Sequence, residues 1–152
     1  MNRPVFELEF TAASEHIDEL GHVNNAVWVQ WIQEVAVAHW YASATAEYRD
    51  AFVWVVIRHE IDYRAAALLG DAVVLRTWVG KASRLTFERH TEMLRSSGGQ
   101  VLAQARTLWC PISSTTRKPS RCAIMERSEP PNPEPTMAKS KSVCMTTKIA
   151  LH

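Results

Sequence analysis

The sequence has few of the features that mark disulfide-rich, metal-binding or strongly charged proteins. Its three cysteines, Cys110, Cys122 and Cys144, are widely spaced and form no Cys-x-x-Cys pair. Neither a disulfide framework nor a structural zinc site is expected from such a set. The net charge is +1, so no overall field favours binding to nucleic acid or to an anionic membrane.

Long hydrophobic runs are also missing. No run approaches the roughly 20 apolar residues that a membrane-spanning helix needs. Residues 1–10 lack the apolar centre of a secretory signal. We therefore expect a cytoplasmic protein with neither a membrane nor nucleic acid among its partners. A chain of 152 residues is long enough for one domain with a substantial core.

Hydrophobic periodicity predicts one strand, one long helix and then four more strands. Phe6, Leu8 and Phe10 alternate with glutamates, which is typical of a half-buried strand. The helix is predicted from about residue 24 to about residue 46, and it is apolar on most of its surface, so it must be buried. The later strands are predicted at about 53–64, 72–80, 84–95 and 100–112. This order favours an α+β architecture in which an antiparallel sheet curls around one helix.

The strand near residue 58 carries an alternation that predicts its two faces. One face is expected to hold six residues: Val53, Val55, Ile57, His59, Ile61 and Tyr63. The other is expected to hold Trp54, Val56, Arg58, Glu60, Asp62 and Arg64. A histidine among apolar neighbours is usually a hydrogen-bonded core residue, so no metal site is assigned to His59.

The composition changes towards the end of the chain. Residues 128–136 contain four prolines, and the residues that follow are rich in Lys, Ser and Thr. Too little apolar surface remains there to offset the entropy of ordering the chain. The sequence therefore predicts a folded domain over residues 1–127 and a disordered tail over residues 128–152.

The segment that leads into the predicted helix has the chemistry of a reactive site. Asn24 and Asn25 are favourable residues for capping a helix start. The first turn of a helix has unpaired N–H donors and partial positive charge. Asp18 stands a few residues before this turn, which is able to polarise a carbonyl. A carboxylate beside such a turn is the minimum equipment for acyl transfer.

The motif of residues 18–31, Asp-x-x-Gly-His-Val-Asn-Asn-x-x-x-x-x-Trp, resembles the opening of the hotdog-fold acyl-CoA thioesterases. That group includes the 4-hydroxybenzoyl-CoA thioesterase type and its acyl-carrier-protein relatives. The resemblance extends over roughly residues 3–125. It includes Glu60–Arg64 with Gly70-Asp71, Ser83-Arg84, Gly98-Gly99, Ala103–Trp109 and Thr116–Arg121. It implies a hotdog fold, with a five-stranded antiparallel sheet wrapped around one long central helix.

The resemblance also implies catalytic roles. In the 4-hydroxybenzoyl-CoA thioesterase type, an Asp three residues before a Gly is the nucleophile or general base, and Asp18 stands three before Gly21. The N–H seven residues after that Asp polarises the thioester carbonyl, and here it belongs to Asn25. The acyl-carrier-protein relatives use a His of the same motif, which corresponds to His22. Leu20 is a departure, because those relatives carry Asn at that position.

Other charged residues have secondary roles in this interpretation. Glu34 lies within the predicted apolar helix and is expected to find a partner rather than to catalyse. Coenzyme A phosphates require Arg or Lys. Lys81, Ser83 and Arg84 lie at a strand junction that looks like the family's cofactor-facing loop, and Arg58 and Arg64 are the alternatives. No separate cofactor is expected, because coenzyme A is part of the substrate.

The leading interpretation is an acyl-CoA thioesterase that releases a carboxylic acid and coenzyme A. The resemblance implies a homodimer or homotetramer. Two alternatives stay open: a thioesterase for acyl-carrier-protein substrates, and an acyl-CoA-binding module without catalysis. A hotdog hydratase is disfavoured, because its Asn-Pro before the His is missing here. Four tryptophans are candidates for an aryl pocket or a short acyl tunnel: Trp28, Trp31, Trp54 and Trp78.

Overall fold

One long helix, α1 (Asn25–Ser43), lies against one face of a sheet in the computed structural model, which describes residues 4–121. Its buried residues recur at helical spacing, so one side of the helix faces the sheet. They are Trp28, Trp31, Ile32, Val35 and Ala36. The helix ends three residues before the predicted limit, because Ala44 adopts an extended conformation. A short helix that the periodicity did not predict, α2 (Ala46–Ala51), follows.

Five strands form a single antiparallel sheet in the order β1-β3-β4-β5-β2. Their bounds are β1 (Phe6–Thr11), β2 (Phe52–Tyr63), β3 (Ala72–Ala82), β4 (Phe87–Arg95) and β5 (Val101–Ser113). A single 3-10 turn (Ser14–His16) follows β1. The predicted α+β class, with one helix against a five-stranded antiparallel sheet, is confirmed. β4 begins three residues later than predicted, because the N–H of Ser83 donates to the carbonyl of Thr86 at 2.8 Å and forms the hairpin turn.

A β-bulge at Ile57 makes part of the face prediction for β2 wrong. Val56 and Arg58 are opposite successive residues of β5, so Ile57 is an extra residue in the pairing. An extra residue reverses the alternation of side chains beyond it. The residues that turn towards the helix side are therefore Trp54, Val56, His59 and Ile61. Those exposed on the outside include Val53, Val55 and Ile57.

Some predictions concern residues outside the described range. The expected tail over residues 128–152, and its boundary at residue 127, lie there, and so do Cys122 and Cys144. Cys110 is a buried free thiol. Neither α1 nor α2 is both long enough and apolar enough to cross a membrane.

A belt of polar side chains crosses the inner face of the sheet beneath α1. Nη1 of Arg89 donates to Nδ1 of His39 at 2.9 Å and to Oγ1 of Thr77 at 3.2 Å. On the β2 side, Nδ1 of His59 and Oγ1 of Thr107 lie 3.0 Å apart, so the hydrogen bond expected of His59 is present. The polar belt consists of His39, His59, Thr77, Arg89, Thr91 and Thr107.

Burial determines the charge of two bases in this belt, His39 and Arg89. Loss of hydration, and then the nearby Arg89 cation, lower the pKa of His39 to about 4. His39 is therefore neutral near pH 7, and its Nδ1 is free to accept the hydrogen bond from Arg89. Burial lowers the pKa of Arg89 to about 10, so this guanidinium keeps its charge near pH 7.

The lowered pKa of His39 predicts a loss of stability in mild acid. An imidazole that is neutral in the folded protein and protonated in the unfolded chain favours unfolding as the pH falls. Its contribution is fully present above the unfolded pKa of 6.5 and is lost progressively as the pH falls to about 4. At 1.36 kcal/mol per pKa unit, the loss over this window is on the order of 3 kcal/mol.

The measurement is the free energy of unfolding in urea between pH 6.5 and pH 4. The variant His39→Gln, which keeps an acceptor for Arg89 but cannot be protonated, should show a shallower decline than the wild type. The matched control is His22→Gln, because His22 is exposed and its replacement should leave the slope unchanged. A wild-type slope in His39→Gln would show that another group controls the acid transition.

Candidate active site

The loop before α1 folds into a tight turn around Asp18. Oδ1 of Asp18 accepts hydrogen bonds from the backbone N–H of Leu20 at 2.9 Å and of His22 at 3.2 Å. The N–H of Asp18 donates to the carbonyl of His22 at 2.8 Å. Gly21 has a φ of +75°, a conformation that glycine adopts with little strain. The turn therefore holds the Asp18 carboxylate in a fixed position.

Two backbone hydrogen bonds anchor this turn to the rest of the domain. The N–H of Val23 donates to the carbonyl of Ala67, in the loop before β3, at 2.9 Å. The N–H of Asn24 donates to the carbonyl of His16 at 2.9 Å. The loop and the start of α1 thus form one frame, and Asp18 is carried on it.

Asn24 and Asn25 differ in what they do at the helix start. Asn24 is the N-cap, and its Oδ1 accepts from the N–H of Ala26 at 2.9 Å. Asn25 is the first helical residue, and its carbonyl accepts from the Tyr63 hydroxyl at 3.4 Å. Within residues 4–121, no hydrogen bond is made by the N–H of Asn25. The donor that the motif predicts for a carbonyl oxygen is thus available to a ligand.

The other acid–base candidates are less closely built into this site. His22 is exposed, and its only hydrogen bonds within the described chain are those of its backbone with Asp18. Glu34 lies on an exposed side of α1, not in the apolar surroundings expected, and its Oε1 accepts from Nε2 of Gln30 at 2.9 Å. The pairing expected of Glu34 is therefore present.

The residues predicted to hold coenzyme A lie at the opposite end of the sheet. Lys81 is near the end of β3, Ser83 and Arg84 are in the turn after it, and all three are exposed. β3 begins at the end of the sheet where α1 starts, and its 11 residues lead away from it. A strand of this length spans about 30 Å. One chain alone does not bring these residues to Asn25.

The two alternative arginines, Arg58 and Arg64, differ in their position relative to the start of α1. Arg58 is on the outer side of β2 and forms an ion pair with Glu60 at 2.7 Å. Arg64 is exposed just beyond β2, next to Tyr63, whose hydroxyl reaches Asn25. Of the predicted cations, Arg64 is the one that this chain places at the same end as the start of α1.

A partly open cavity lies near the far end of α1, and the centre of a water molecule can reach about 60 Å³ of it. Four aromatic rings line it: Trp40, Trp54, Phe87 and Trp109. The rings of Trp40 and Trp54 meet edge to face at 5.3 Å, and Trp54 meets Phe87 in the same way at 5.4 Å. Such pairs favour one rigid arrangement, so the wall of the cavity is preformed.

The structure places one of the four candidate tryptophans at this cavity. Trp54 lines this cavity, whereas Trp28 and Trp31 are packed in the core, and Trp78 stacks on His90 at 5.6 Å on the outer face of the sheet. Trp40, Trp109 and Arg89 also line the cavity and were missed. The alternation in β4 and β5 was the only sequence signal for the two strand residues among them.

Comparison with solved structures shows the same fold in thioesterases. A 1,4-dihydroxy-2-naphthoyl-CoA thioesterase from Synechocystis superposes with a TM-score of 0.70 at 20% identity, over 81% of this chain and 93% of that one. A hypothetical protein from Staphylococcus aureus, in complex with CoA, superposes with a TM-score of 0.74 at 15% identity, over 94% and 97%. The likeness shows that the fold is the predicted hotdog fold.

Sequence comparison leads to the same group of proteins. The chloroplastic acyl-[acyl-carrier-protein] hydrolase FATB2 of Cuphea viscosissima is 27% identical over 82 residues, 54% of this chain. The chain spans 20% of the length of that relative. A family model described as the thioesterase-like superfamily matches residues 13–138, which is most of the chain. The chain therefore belongs to the thioesterase-like superfamily.

Proposed function

We propose that this protein hydrolyses an acyl-CoA thioester to a carboxylic acid and coenzyme A, at the start of α1. Membership of the thioesterase-like superfamily supports thioester hydrolysis. The observation that carries the location is the combination of a fixed carboxylate, Asp18, with a free backbone N–H on Asn25 in one hydrogen-bonded frame. Water adds to the carbonyl carbon, the C–S bond breaks, and the sulfur leaves with a proton.

In this proposal the start of α1 stabilises the charge that forms on the carbonyl oxygen. The N–H of Asn25 donates to this oxygen, and the partial positive charge of the helix start adds to the effect. The oxygen becomes more negative as the carbon is attacked, so the interaction is stronger in the transition state than in the substrate. Such an interaction accelerates the reaction as well as binding the substrate.

Asp18 supplies the second requirement. Its Oδ1 is occupied by two backbone donors, whereas Oδ2 makes no hydrogen bond within residues 4–121. The free oxygen either takes a proton from the attacking water or attacks the carbonyl carbon itself. In both cases the turn holds the carboxylate in place during the reaction.

The choice of thiol carrier is a separate part of the proposal. The Synechocystis protein is a CoA thioesterase, and the Staphylococcus protein was solved with CoA. These two similar structures favour an acyl-CoA substrate. The Cuphea relative acts on acyl-carrier protein, so an acyl-carrier-protein thioester is the second candidate. Matched acyl groups on the two carriers distinguish them by the ratio of kcat/KM.

We further infer that two copies of the chain complete each site. β2 is an edge strand, paired with β5 on one side only. Its outward Val53, Val55 and Ile57 are 43%, 47% and 56% exposed. An unpaired, apolar edge invites a second strand. Pairing of two β2 strands about a two-fold axis is antiparallel, and the same strand edge serves both chains.

In this arrangement, Lys81 and Arg84 of one chain come close to Asn25 of the other chain. Antiparallel pairing places the Phe52 end of one β2 beside the Tyr63 end of the other. The first end lies near the turn that carries Lys81 and Arg84, and the second lies near Asn25. The cations of one chain therefore serve the phosphates of a coenzyme A whose thioester lies at the other chain's Asn25.

The first prediction concerns the Asp18 carboxylate. Asp18→Asn keeps an acceptor oxygen for the N–H groups of Leu20 and His22, so the turn should survive, but the charge is lost. Removal of a general base typically lowers the reaction rate by about 10²- to 10⁴-fold, and we expect a fall of this size in kcat. The measurement is release of free thiol from a panel of acyl-CoAs.

The control is Glu19→Gln, which neutralises an exposed neighbour of Asp18 and should keep wild-type activity. Full activity in Asp18→Asn would move the role to His22 or Glu34.

The second prediction isolates the N–H of Asn25. Proline is well tolerated at the first position of a helix and has no N–H. Asn24 has a ψ of 143°, a conformation that a residue before proline favours. Asn25→Pro should therefore fold normally and lose about 10²- to 10³-fold in kcat. Asn25→Ala, which keeps the N–H, should remain active. Equal activity of the two variants would remove this N–H from the mechanism.

The third prediction tests the shared site. Asp18→Asn and the double variant Lys81→Gln/Arg84→Gln should each be weakly active alone. After unfolding and refolding together, half of the dimers contain one site with every residue intact. Activity should return to about a quarter of the wild-type value, as symmetry requires. No recovery, with mixed dimers demonstrated by mass spectrometry, would place the functions of Asp18, Lys81 and Arg84 within single chains.

A further inference from the structure

Arg89 carries a buried positive charge that no acid of the described chain neutralises. Arg89 is only 8% exposed. Within residues 4–121, its side chain donates hydrogen bonds to neutral His39 and to the hydroxyl of Thr77. The adjacent Glu88 binds Arg106 at 2.9 Å and His90 at 2.5 Å instead. Burial of a charge is costly unless the charge is paired. A ligand is one source of the missing negative charge.

Arg89 has N–H donors that make no hydrogen bond within residues 4–121. A guanidinium has five N–H donors, and within the described part of the chain only those on Nη1 are used, by His39 and Thr77. Arg89 lines the aromatic cavity at the far end of α1. The indole N–H groups of Trp54 and Trp109, in its wall, are also without an acceptor within residues 4–121. Glu88 lines the cavity as well, but its carboxylate is bound by Arg106 and His90, so the charge of Arg89 stays unpaired there.

We propose that this cavity is a binding site for a small carboxylic acid with an apolar, ring-sized body. The carboxylate binds the free edge of the Arg89 guanidinium, because the planar fork of arginine matches the two oxygens of a carboxylate. The apolar body lies among the rings of Trp40, Trp54 and Trp109, which favour contact with another flat or apolar group. The acid supplies the negative charge that Arg89 lacks within residues 4–121.

The cavity is distinct from the proposed reactive end of the same chain. Ala36, which lines it, is 11 residues after Asn25, a distance of about 16 Å along a helix. Fully packed residues of α1, Ile32 and Val35 among them, lie between the two places. The ligand of this cavity therefore does not reach Asn25 through the core of its own chain.

Two sources provide this chemistry. One is a free acid, which binds whether or not the protein is an enzyme. The other is an acyl thioester whose acyl chain ends in a carboxylate, and this source rests on the proposed function. In the paired arrangement inferred above, the cavity of one chain lies towards the reactive end of the other. Either source places a carboxylate on Arg89.

The test is isothermal titration calorimetry of the full chain with three probes: benzoate, 2-naphthoate and the uncharged 2-naphthylmethanol. We expect 2-naphthoate to bind and 2-naphthylmethanol to bind at least about tenfold more weakly, because only the acid pairs with the buried cation. Absence of binding by both acids, or equal affinity for 2-naphthoate and 2-naphthylmethanol, would overturn the proposal.

Variants connect the binding to this cavity. Arg89→Met removes the charge at similar length and should lower the affinity for 2-naphthoate by at least about tenfold. Arg106→Met is the matched control, because Arg106 is on the neighbouring strand but on the outer face of the sheet. If Arg89→Met does not fold, Ala36→Leu fills the cavity and leaves Arg89 in place. It should weaken 2-naphthoate more than benzoate. Unchanged affinity in a folded cavity variant would overturn the proposal.

A kinetic comparison separates the two sources. Glutaryl-CoA and pentanoyl-CoA have acyl chains of equal length, and only the first ends in a carboxylate. A preference for glutaryl-CoA that Arg89→Met abolishes assigns the cavity to the acyl chain. Equal rates, with 2-naphthoate still bound, assign it to a free acid. If no thioester is hydrolysed, the proposed function fails, and the titration with acids still decides this proposal.

Discussion

Burial of one side of α1 against the inner face of the sheet sets the position of every other feature in this domain. Trp31, Ile32 and Val35 are almost completely removed from solvent, and each such side chain contributes roughly 1.5–3 kcal/mol. Because the helix cannot slide without exposing them, its two ends are fixed relative to the strands. One end carries a free N–H beside a carboxylate, and the other carries a cavity with a buried cation. The fold thus holds two chemically different places at a constant separation.

The sequence predicted features that depend on neighbours along the chain. The period of α1 and the cap at Asn24 are set by short-range hydrogen bonds and by side-chain spacing. The same holds for the turn around Asp18, whose hydrogen bonds span no more than four residues. These features could be placed correctly because no distant part of the chain is needed to form them.

Features that depend on pairing between distant strands were beyond this reasoning. The extra residue at Ile57 exists only relative to β5, so the alternation in β2 gave no sign of the reversal. Arg89 stands between Glu88 and His90, and a charged run is typical of a solvated strand. Only the register of β4 turns it inward. Lys81 and Arg84 lie at a strand junction that looks like the family's cofactor-facing loop. Their distance from Asn25, however, follows from the length of β3.

The bulge in β2 also bears on how far assembly can proceed. A straight, regular edge strand accepts one chain after another and so leads to open-ended growth. An extra residue increases the local twist and interrupts the ladder of backbone groups. Beyond Ile57 the outward positions are charged, with Arg58 and Glu60 forming an ion pair. Such an edge is a poor template for continued addition of strands.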